Sequence, residues 1–252
     1  MPSSIIGNRN ISCTIDSQGA QLLSLRSNDS GKEYIWEGNP EVWKWHAPVL
    51  FPFCGNFPNG FVHNGRTYHL PQHGFLRTVE HTRISDGVYV FETEGREDYP
   101  FALRTTTSFL LEGNTLIHRI EIENTGKEAL PFSLGFHTGF ALSNARLEFE
   151  KTEEELGSNV FVADDTSLAS TKLYVKIRSG FIDCTSTDGK RIRWESSDYS
   201  TLVLWTAPGH SRDYICIEPR IDTVPEGAKE PFRCSLPIGG KTTLEERITI
   251  LA

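Results

Sequence analysis

The segment that decides the fold class reads Arg104-Thr-Thr-Thr-Ser-Phe-Leu-Leu111, Glu112-Gly113-Asn114 and Thr115-Leu-Ile-His-Arg-Ile-Glu-Ile-Glu-Asn124. Two runs that suit extended backbone flank a three-residue turn containing glycine, which is typical of a β-hairpin. In the second run, positions 119, 121 and 123 are charged and positions 120 and 122 are isoleucine. This two-residue period predicts a strand with one mostly polar face.

Similar short runs, bounded by Gly, Asn or Asp, recur along the rest of the chain. The further predicted strands are Ile11–Ile15, Gln21–Arg26, Lys32–Trp36, Arg66–Leu70, Val88–Glu94, Phe132–Phe136, Arg146–Glu150, Lys172–Ile177, Arg191–Glu195, Thr201–Thr206, Tyr214–Glu218 and Thr243–Leu251. No window of a dozen residues carries a helical apolar stripe, and Asn39–Trp45 fits at most one helical turn. We therefore predict an all-β protein, a large two-sheet antiparallel β-sandwich forming a single domain over residues 1–252.

The composition fits a soluble globular protein and excludes several classes of partner. The 252 residues include 25 Lys and Arg against 33 Asp and Glu, a formal net charge of −8. This balance argues against nucleic acid or an anionic membrane surface, because both are bound by a clustered basic face. Mean hydropathy is −0.34, no run approaches the ~18 apolar residues of a membrane span, and the N-terminus does not resemble a signal peptide. We predict a cytoplasmic protein whose five cysteines are reduced, since their number is odd and no CxxC occurs.

Four segments crowd His, Gly and aromatic residues where a plain sandwich would alternate. They are Trp45–Asn56, Gln72–Arg77, Leu134–Phe140 and Tyr214–Pro219. If the second segment is extended, His73, Phe75 and Arg77 share one face. That face could hold a polyhydroxylated ligand, with the ring stacked on its apolar side and charged donors on its hydroxyls. The alternative is a loop with an exposed Arg and a hydrogen-bonded His.

Two further residues are candidates for proton transfer. His137 lies between Gly135 and Gly139, which permit close approach of backbone or ligand, and imidazole has a pKa of ~6.5 that suits proton transfer near neutrality. Glu218 follows an apolar run, so desolvation is expected to raise its pKa and make it a better base. The alternatives are a core histidine and a solvent-facing glutamate at a strand end, the latter favoured by Pro219.

Other chemistries are disfavoured by the motifs. The spacing of His63, His69 and His73 matches no common zinc or iron pattern. The phosphate-loop and nucleophile-elbow patterns GxGxxG, GxxxxGK and GxSxG do not occur. A metal-dependent cupin-like enzyme is supported only by the eight histidines, and we predict no metal site.

Taken together and in this order, the four segments resemble the aldose 1-epimerase (galactose mutarotase-like) superfamily. The matching motifs are Pro48-Val-Leu-Phe-Pro52 followed by Gly55, His73-Gly-Phe-Leu-Arg77, Gly135-Phe-His137 and Ile217-Glu218-Pro219. The most similar branch is the shorter one with a His-Gly-Phe-x-Arg segment, which includes hexose-6-phosphate 1-epimerases. The resemblance covers nearly the whole chain.

The resemblance implies a galactose mutarotase-like supersandwich that binds sugar on the concave face of one sheet without a metal or organic cofactor. It implies that His137 is the general acid and Glu218 the general base in interconverting the α and β anomers of a hexose or hexose phosphate. The pair must then start with His137 protonated and Glu218 ionised. His73 and Arg77 would bind substrate, and Asn56 is a further candidate. The expected partner is a small sugar or sugar phosphate, and the expected state is a monomer or homodimer.

Three positions depart from the family pattern. Thr138 stands where Pro commonly follows the His, His46 where Arg is common, and Arg220 where Trp or Gly often follows Glu-Pro. We predict that His46 and Arg220 bind substrate, and that with Arg77 they could form a phosphate-binding corner. The alternative for Arg220 is a pairing with Asp222 or solvent. Because of these departures, a non-catalytic carbohydrate-binding or sugar-sensing protein on the same fold remains a second hypothesis.

Overall fold

The computed structural model describes residues 3–174, 177–224, 228 and 230–251. Their regular structure is β-strand except for one 3₁₀ turn, Leu76–Thr78. The strands form two main antiparallel sheets and three small ones. The predicted all-β class and antiparallel sandwich are therefore confirmed. In the described part of the chain, no helix has the length and apolar character needed to cross a membrane.

The larger sheet has nine strands and contains the hairpin that decided the fold class. In spatial order they are β15 (Ser158–Val162), β14 (Arg146–Glu153), β17 (Phe181–Thr185), β18 (Arg191–Ser197), β22 (Lys241–Ile250), β10 (Thr115–Asn124), β9 (Leu103–Glu112), β8 (Val88–Thr93) and β7 (Thr82–Ser85). The hairpin turn has two residues rather than the predicted three, because Glu112 and Thr115 pair directly. Gly113 takes the left-handed φ of 59° that such a tight turn requires.

The smaller main sheet carries the candidate site. It contains β16 (Lys172–Tyr174), β19 (Thr201–Trp205), β20 (Ile215–Ile221), β12 (Leu134–Phe136) and β4 (Val49–Leu50) in that order, with β13 (Thr138–Phe140) also paired to β20. The small sheets are β1 (Ser3–Gly7), β2 (Ile11–Asp16) and β3 (Gln21–Ser27); β5 (Phe61–His63) and β6 (Arg66–Tyr68); and β11 (Leu130–Phe132) and β21 (Cys234–Leu236).

The core lies between the two main sheets. In β10, Leu116, Ile120 and Ile122 are fully buried while Arg119 is exposed, as the two-residue period predicts. Leu116 belongs to the same buried cluster as Ile217 of β20, which joins the two layers. Complete burial of one such aliphatic side chain stabilises a fold by about 1.5–3 kcal/mol. The opposed apolar faces thus hold the sheets together and leave the outer face of the smaller sheet free to form a site.

Several predicted elements differ from the observed ones. Lys32–Trp36 is not a strand; it makes only isolated bridges, and Ile35 in it is buried by packing rather than by a continuous ladder. In Asn39–Trp45 the Asn39 carbonyl accepts two backbone hydrogen bonds, which forms a single turn and no helix. Phe132–Phe136 is divided between β11 and β12. Lys172–Ile177 is a strand only over β16, and positions 175–176 lie outside the described residues.

Strand β20 is longer than predicted and runs through Pro219 instead of ending before it. On one side of the strand, Gly135 pairs with Arg220, and further along Thr138 pairs with Ile217. Both pairs obey one register, so β12 and β13 flank a gap in a single ladder. The gap lies opposite Pro219, whose nitrogen has no hydrogen to donate.

Candidate active site

The gap in this ladder brings His137 and Glu218 face to face. The register of β12 and β13 on β20 sets His137 directly opposite Glu218. The His137 nitrogen donates away from β20, to the Pro48 carbonyl, at 3.0 Å. The two residues therefore form a non-hydrogen-bonded cross-strand pair, the kind in which side chains approach most closely. Their side chains meet with His137 Nε2 3.4 Å from Glu218 Oε1.

Glu218 is nearly inaccessible, with 1% of its surface exposed. Its Oε2 accepts hydrogen bonds from Arg220 Nη2 at 2.5 Å and Nε at 3.2 Å. Its Oε1 finds no hydrogen-bond donor among the residues that the structure describes. Arg220 thus pairs with Glu218 and is itself buried, so the alternative that it faces solvent is wrong. One carboxylate oxygen is fixed and the other is left for a ligand. The alternative for Glu218, a solvent-facing glutamate at a strand end, is also wrong.

The protonation state that the structure favours for the pair of His137 and Glu218 differs from the expected one. Burial raises the pKa of Glu218, and the charge and hydrogen bonds of Arg220 oppose that rise. Burial lowers the pKa of His137 well below its usual range, and the nearby His73, Arg220 and Arg77 lower it further. A neutral His137 is therefore favoured in the unliganded site, in contrast to the protonated state expected from the sequence. The main physical reason is burial, and the basic side chains nearby add to it.

His73 reaches the site through an unusual backbone conformation. It has a left-handed φ of 64°, and Gly74 after it packs so tightly that an added Cβ would lie 2.0 Å from the Phe51 carbonyl oxygen. The Gly55 nitrogen donates to His73 Nδ1 at 2.9 Å. Burial and the charges of nearby arginines lower the pKa of His73 to about 2. The ring is thus neutral, with Nε2 carrying the proton and able to donate it to a ligand.

The prediction that His73, Phe75 and Arg77 share one extended face is wrong. The chain turns at His73 and enters the 3₁₀ turn, so Phe75 packs into the core with Phe51. His73 and Arg77 still line the same cleft. Aromatic stacking on a ligand must therefore come from other residues.

Tryptophans supply the aromatic wall that Phe75 does not. The Trp43 ring stacks on His137 with centroids 4.7 Å apart, and Trp205 meets His137 edge-on at 5.4 Å. Trp43 can lie this close because of Gly139, where an added Cβ would be 2.8 Å from Trp43 Cζ3. Trp43 was not among the residues predicted from the sequence; its position next to the Trp45–Asn56 segment was the signal available for it.

These side chains line a cleft with a cavity volume of about 580 Å³. It is large enough for a monosaccharide, since small-molecule sites typically span ~300–1,000 Å³. Its lining includes His73, Arg77, His137, Glu218 and Arg220. Five of the seven predicted site residues are therefore brought together.

The other two predicted residues do not line the cleft. His46 lies behind it: its Nδ1 is 2.8 Å from the Trp36 carbonyl oxygen, and its own carbonyl accepts from the Gly139 nitrogen at 2.9 Å. Asn56 is exposed and lies outside the cleft lining. The predicted three-residue phosphate corner is thus reduced to Arg77 and Arg220.

The outer end of the cleft is cationic. The Arg77 guanidinium lies 4.5 Å from the centroid of the Trp45 ring, and Lys44 Nζ lies 5.1 Å from it. Arg77 Nη2 donates to the Gln72 carbonyl at 2.6 Å. Burial lowers the pKa of Arg77 to about 10, which leaves it charged at neutral pH. Among the described residues, no three His, Cys, Asp or Glu side chains are grouped so that they could hold a metal ion.

The β-sandwich has the fold of galactose mutarotase-like proteins, and its cleft holds a His–Glu pair, a neutral His and tryptophan rings. The sequence profile of the Aldose 1-epimerase family matches residues 3–177. The protein therefore belongs to the aldose 1-epimerase family, as the resemblance of its motifs predicted.

The chain is also similar to individual proteins and solved structures. Protein LacX from Lactococcus lactis subsp. lactis is 26% identical, over 80% of this chain and 81% of that protein. A galactose mutarotase-like protein from Lactobacillus casei ATCC 334 superposes with a TM-score of 0.88 at 21% identity, covering 99% of this chain and 100% of that one. Galactose 1-epimerase from Lactobacillus acidophilus NCFM has a TM-score of 0.72 at 15% identity, covering 99% and 94%. At these identities the two structures establish the shared fold.

Proposed function

We propose that the protein is an aldose 1-epimerase that interconverts the α and β anomers of a hexose or hexose phosphate. One observation carries the proposal: His137 Nε2 and Glu218 Oε1 lie 3.4 Å apart in a cleft, and Oε1 finds no hydrogen-bond donor among the described residues. Anomer exchange needs a proton donor and a proton acceptor at opposite ends of a hemiacetal. A facing imidazole and carboxylate supply both.

In the proposed reaction Glu218 removes the proton of the anomeric hydroxyl while protonated His137 gives its proton to the ring oxygen. The bond between C1 and the ring oxygen breaks, C1 becomes an aldehyde, and the open chain rotates about C1–C2. Closure on the other face of C1 returns both protons: the new ring oxygen gives its proton to His137, and protonated Glu218 protonates the aldehyde oxygen. The pair thus ends as it began.

The electrostatics support this cycle at both stages. With the sugar open, the pair consists of neutral His137 and protonated Glu218, the form that burial favours. With the sugar closed, it consists of an imidazolium and a carboxylate, and Arg220 on Oε2 stabilises the carboxylate. The two forms contain the same number of protons, so the pair titrates as a unit. Burial and the Arg220 contact favour opposite forms of the pair. If they keep the two forms close in free energy, the proton can move in either direction.

The remaining lining residues are suited to binding a pyranose. Trp43 and Trp205 offer flat apolar rings beside His137, and His73 offers an Nε2–H donor. Arg77 and Lys44 at the outer end of the cleft could bind an anionic substituent, which would favour a sugar phosphate over the free sugar.

Anomer-exchange NMR with freshly dissolved α-glucose, α-galactose and their 6-phosphates tests the proposal. We expect the wild-type protein to speed exchange of at least one sugar, and Glu218→Gln to reduce the excess rate by ~10²–10⁴-fold, as for loss of a general base. Glu121→Gln, at an exposed surface pair with Lys241, is the matched control. A wild-type rate in Glu218→Gln would remove Glu218 as the base.

The second hypothesis is a non-catalytic sugar-binding or sugar-sensing protein, and the lowered pKa of His137 is the observation that favours it. Calorimetric binding of a sugar with no acceleration of exchange would establish that function instead. The single-domain organisation of residues 1–252, the cytoplasmic location, the monomer or homodimer state and independence from cofactors stay predictions.

A further inference from the structure

A buried ionisable cluster lies directly behind His137, on the side of the strand away from the cleft. Its centre is the Glu246 carboxylate of β22, which is completely inaccessible to solvent. Oε1 accepts from Thr138 Oγ1 at 2.6 Å and contacts His118 Nδ1 at 3.0 Å. Oε2 accepts from Trp194 Nε1 at 3.1 Å. The proposed reaction uses none of these four residues.

The cluster holds both chain neighbours of His137. Successive side chains of a strand point to opposite faces, so Phe136 and Thr138 point into the core while His137 points into the cleft. Thr138 is bound to Glu246 by its hydroxyl. Phe136 packs against His118 with ring centroids 4.2 Å apart, and His118 in turn contacts Glu246. Glu246 and His118 therefore restrain the residues on both sides of His137.

This restraint matters because the ladder beside His137 has a gap on one side. The ladder to β20 is interrupted opposite Phe136, the residue before His137, since Pro219 lacks a donor there, and β13 has only three residues. On the other edge, the His137 nitrogen donates to the Pro48 carbonyl. The side-chain contacts to Glu246 cross the core to the larger sheet and so add a restraint from the opposite layer.

The cost of burying a carboxylate supports a role beyond stability. Apolar side chains of similar volume often stabilise a core as well as a buried ionic group does, whereas in some proteins buried polar groups specify one geometry. We propose, on the basis of the function proposed above, that Glu246 and His118 are positioning residues that fix His137 opposite Glu218 through Thr138 and Phe136.

Thr138→Val tests this inference, because valine keeps the shape and removes the hydroxyl donor. A misplacement of about 1 Å at a reacting group can cost on the order of 10²-fold in rate. We expect kcat for anomer exchange to fall on the order of tenfold, with KM within about twofold. Thr138→Ser retains the donor and should restore kcat. Thr249→Val removes a hydroxyl contact with Thr115 in the larger sheet, on the same strand as Glu246, and should leave kcat unchanged.

The His137 ring itself provides a second readout. In ¹H–¹³C spectra of the unliganded protein, the ring signals of His137 should shift in Thr138→Val but not in Thr138→Ser. If the wild-type protein does not accelerate exchange, the proposed function fails, and these signals alone decide the positioning role. Should Thr138→Val not fold, Glu246→Gln replaces it with the same expectation of lower kcat. A folded Thr138→Val with wild-type kcat and an unshifted His137 ring would overturn the inference.

Discussion

His73 should make the stability of this protein depend on pH in a way that one substitution can isolate. The ring is buried beside two arginines, and its pKa falls from 6.5 to about 2 in the folded protein. In the unfolded chain the ring returns to its ordinary pKa. Below pH 6.5 the unfolded state therefore binds a proton that the folded state does not.

The sign and size follow from this difference. The contribution of a neutral buried His73 is fully present above pH 6.5 and is lost as pH falls from 6.5 towards about 2. Each pH unit in that window costs about 1.4 kcal/mol of unfolding free energy. Between pH 6.5 and about 4.5, His73 alone should cost on the order of 2.7 kcal/mol, a large part of the ~5–15 kcal/mol typical of a domain.

His73→Asn removes the titration with little change to the backbone. Asparagine accepts the left-handed φ of 64° better than most residues, and its amide oxygen can accept from the Gly55 nitrogen in place of Nδ1. Urea unfolding of both proteins at pH 7 and about 4.5 gives the loss of stability for each. His81, whose pKa is also lowered by burial, remains in both proteins, so its contribution cancels. His137 remains buried in both proteins, and burial is the largest cause of its lowered pKa, so most of its contribution cancels as well.

We expect the wild-type protein to lose roughly 2–3 kcal/mol more than His73→Asn over this pH interval. Equal losses in the two proteins, within about 0.5 kcal/mol, would refute the reasoning. They would mean that His73 is protonated in the fold or that water reaches it freely.

Two further substitutions probe the surroundings of the proposed catalytic pair. Arg220→Gln should raise the pKa of Glu218 further, because Arg220 opposes the effect of burial. In a plot of kcat/KM against pH, the acid limb should therefore move to higher pH. An acid limb that does not move would contradict the pairing of Arg220 with Glu218. Gly139→Ala should displace Trp43, whose Cζ3 lies 2.8 Å from the added Cβ, and weaken sugar binding in calorimetry on the order of tenfold. Gly7→Ala is the control, because the atom nearest to its added Cβ is 3.4 Å away. Equal sugar affinity in the two variants would exclude a role for Trp43 in binding sugar.

The local patterns of the sequence were sufficient for most strands but not for their ends. The alternation in β10 reflects a strand with one buried face, so its period predicted both its conformation and its exposure. Lys32–Trp36 also mixes charged and large apolar residues but forms no strand, because Ile35 is buried without a continuous partner. The residue types of a segment indicate whether it is buried. A strand requires in addition a neighbouring strand with matching register.

The site was predictable as a set of residue types and not as a geometry. His137 and Glu218 were found from their surroundings in the chain, but their opposition depends on the register of β12 and β13 with β20. His73 faces the cleft because its own backbone is left-handed although it is not a glycine. No periodic pattern in the sequence reveals such a conformation. Trp43 is close to His137 only because Gly139, distant in sequence, leaves room for it.

Pro219 shows how one residue can serve both the fold and the chemistry. It was expected to end the strand, yet β20 continues through it. Its missing donor opens the ladder opposite Phe136, next to the pair formed by His137 and Glu218. The His137 and Glu218 side chains keep their cross-strand approach beside this gap. In the proposed reaction the substrate would meet both groups here, and the inferred anchor at Glu246 would hold the strand next to the gap from the opposite layer.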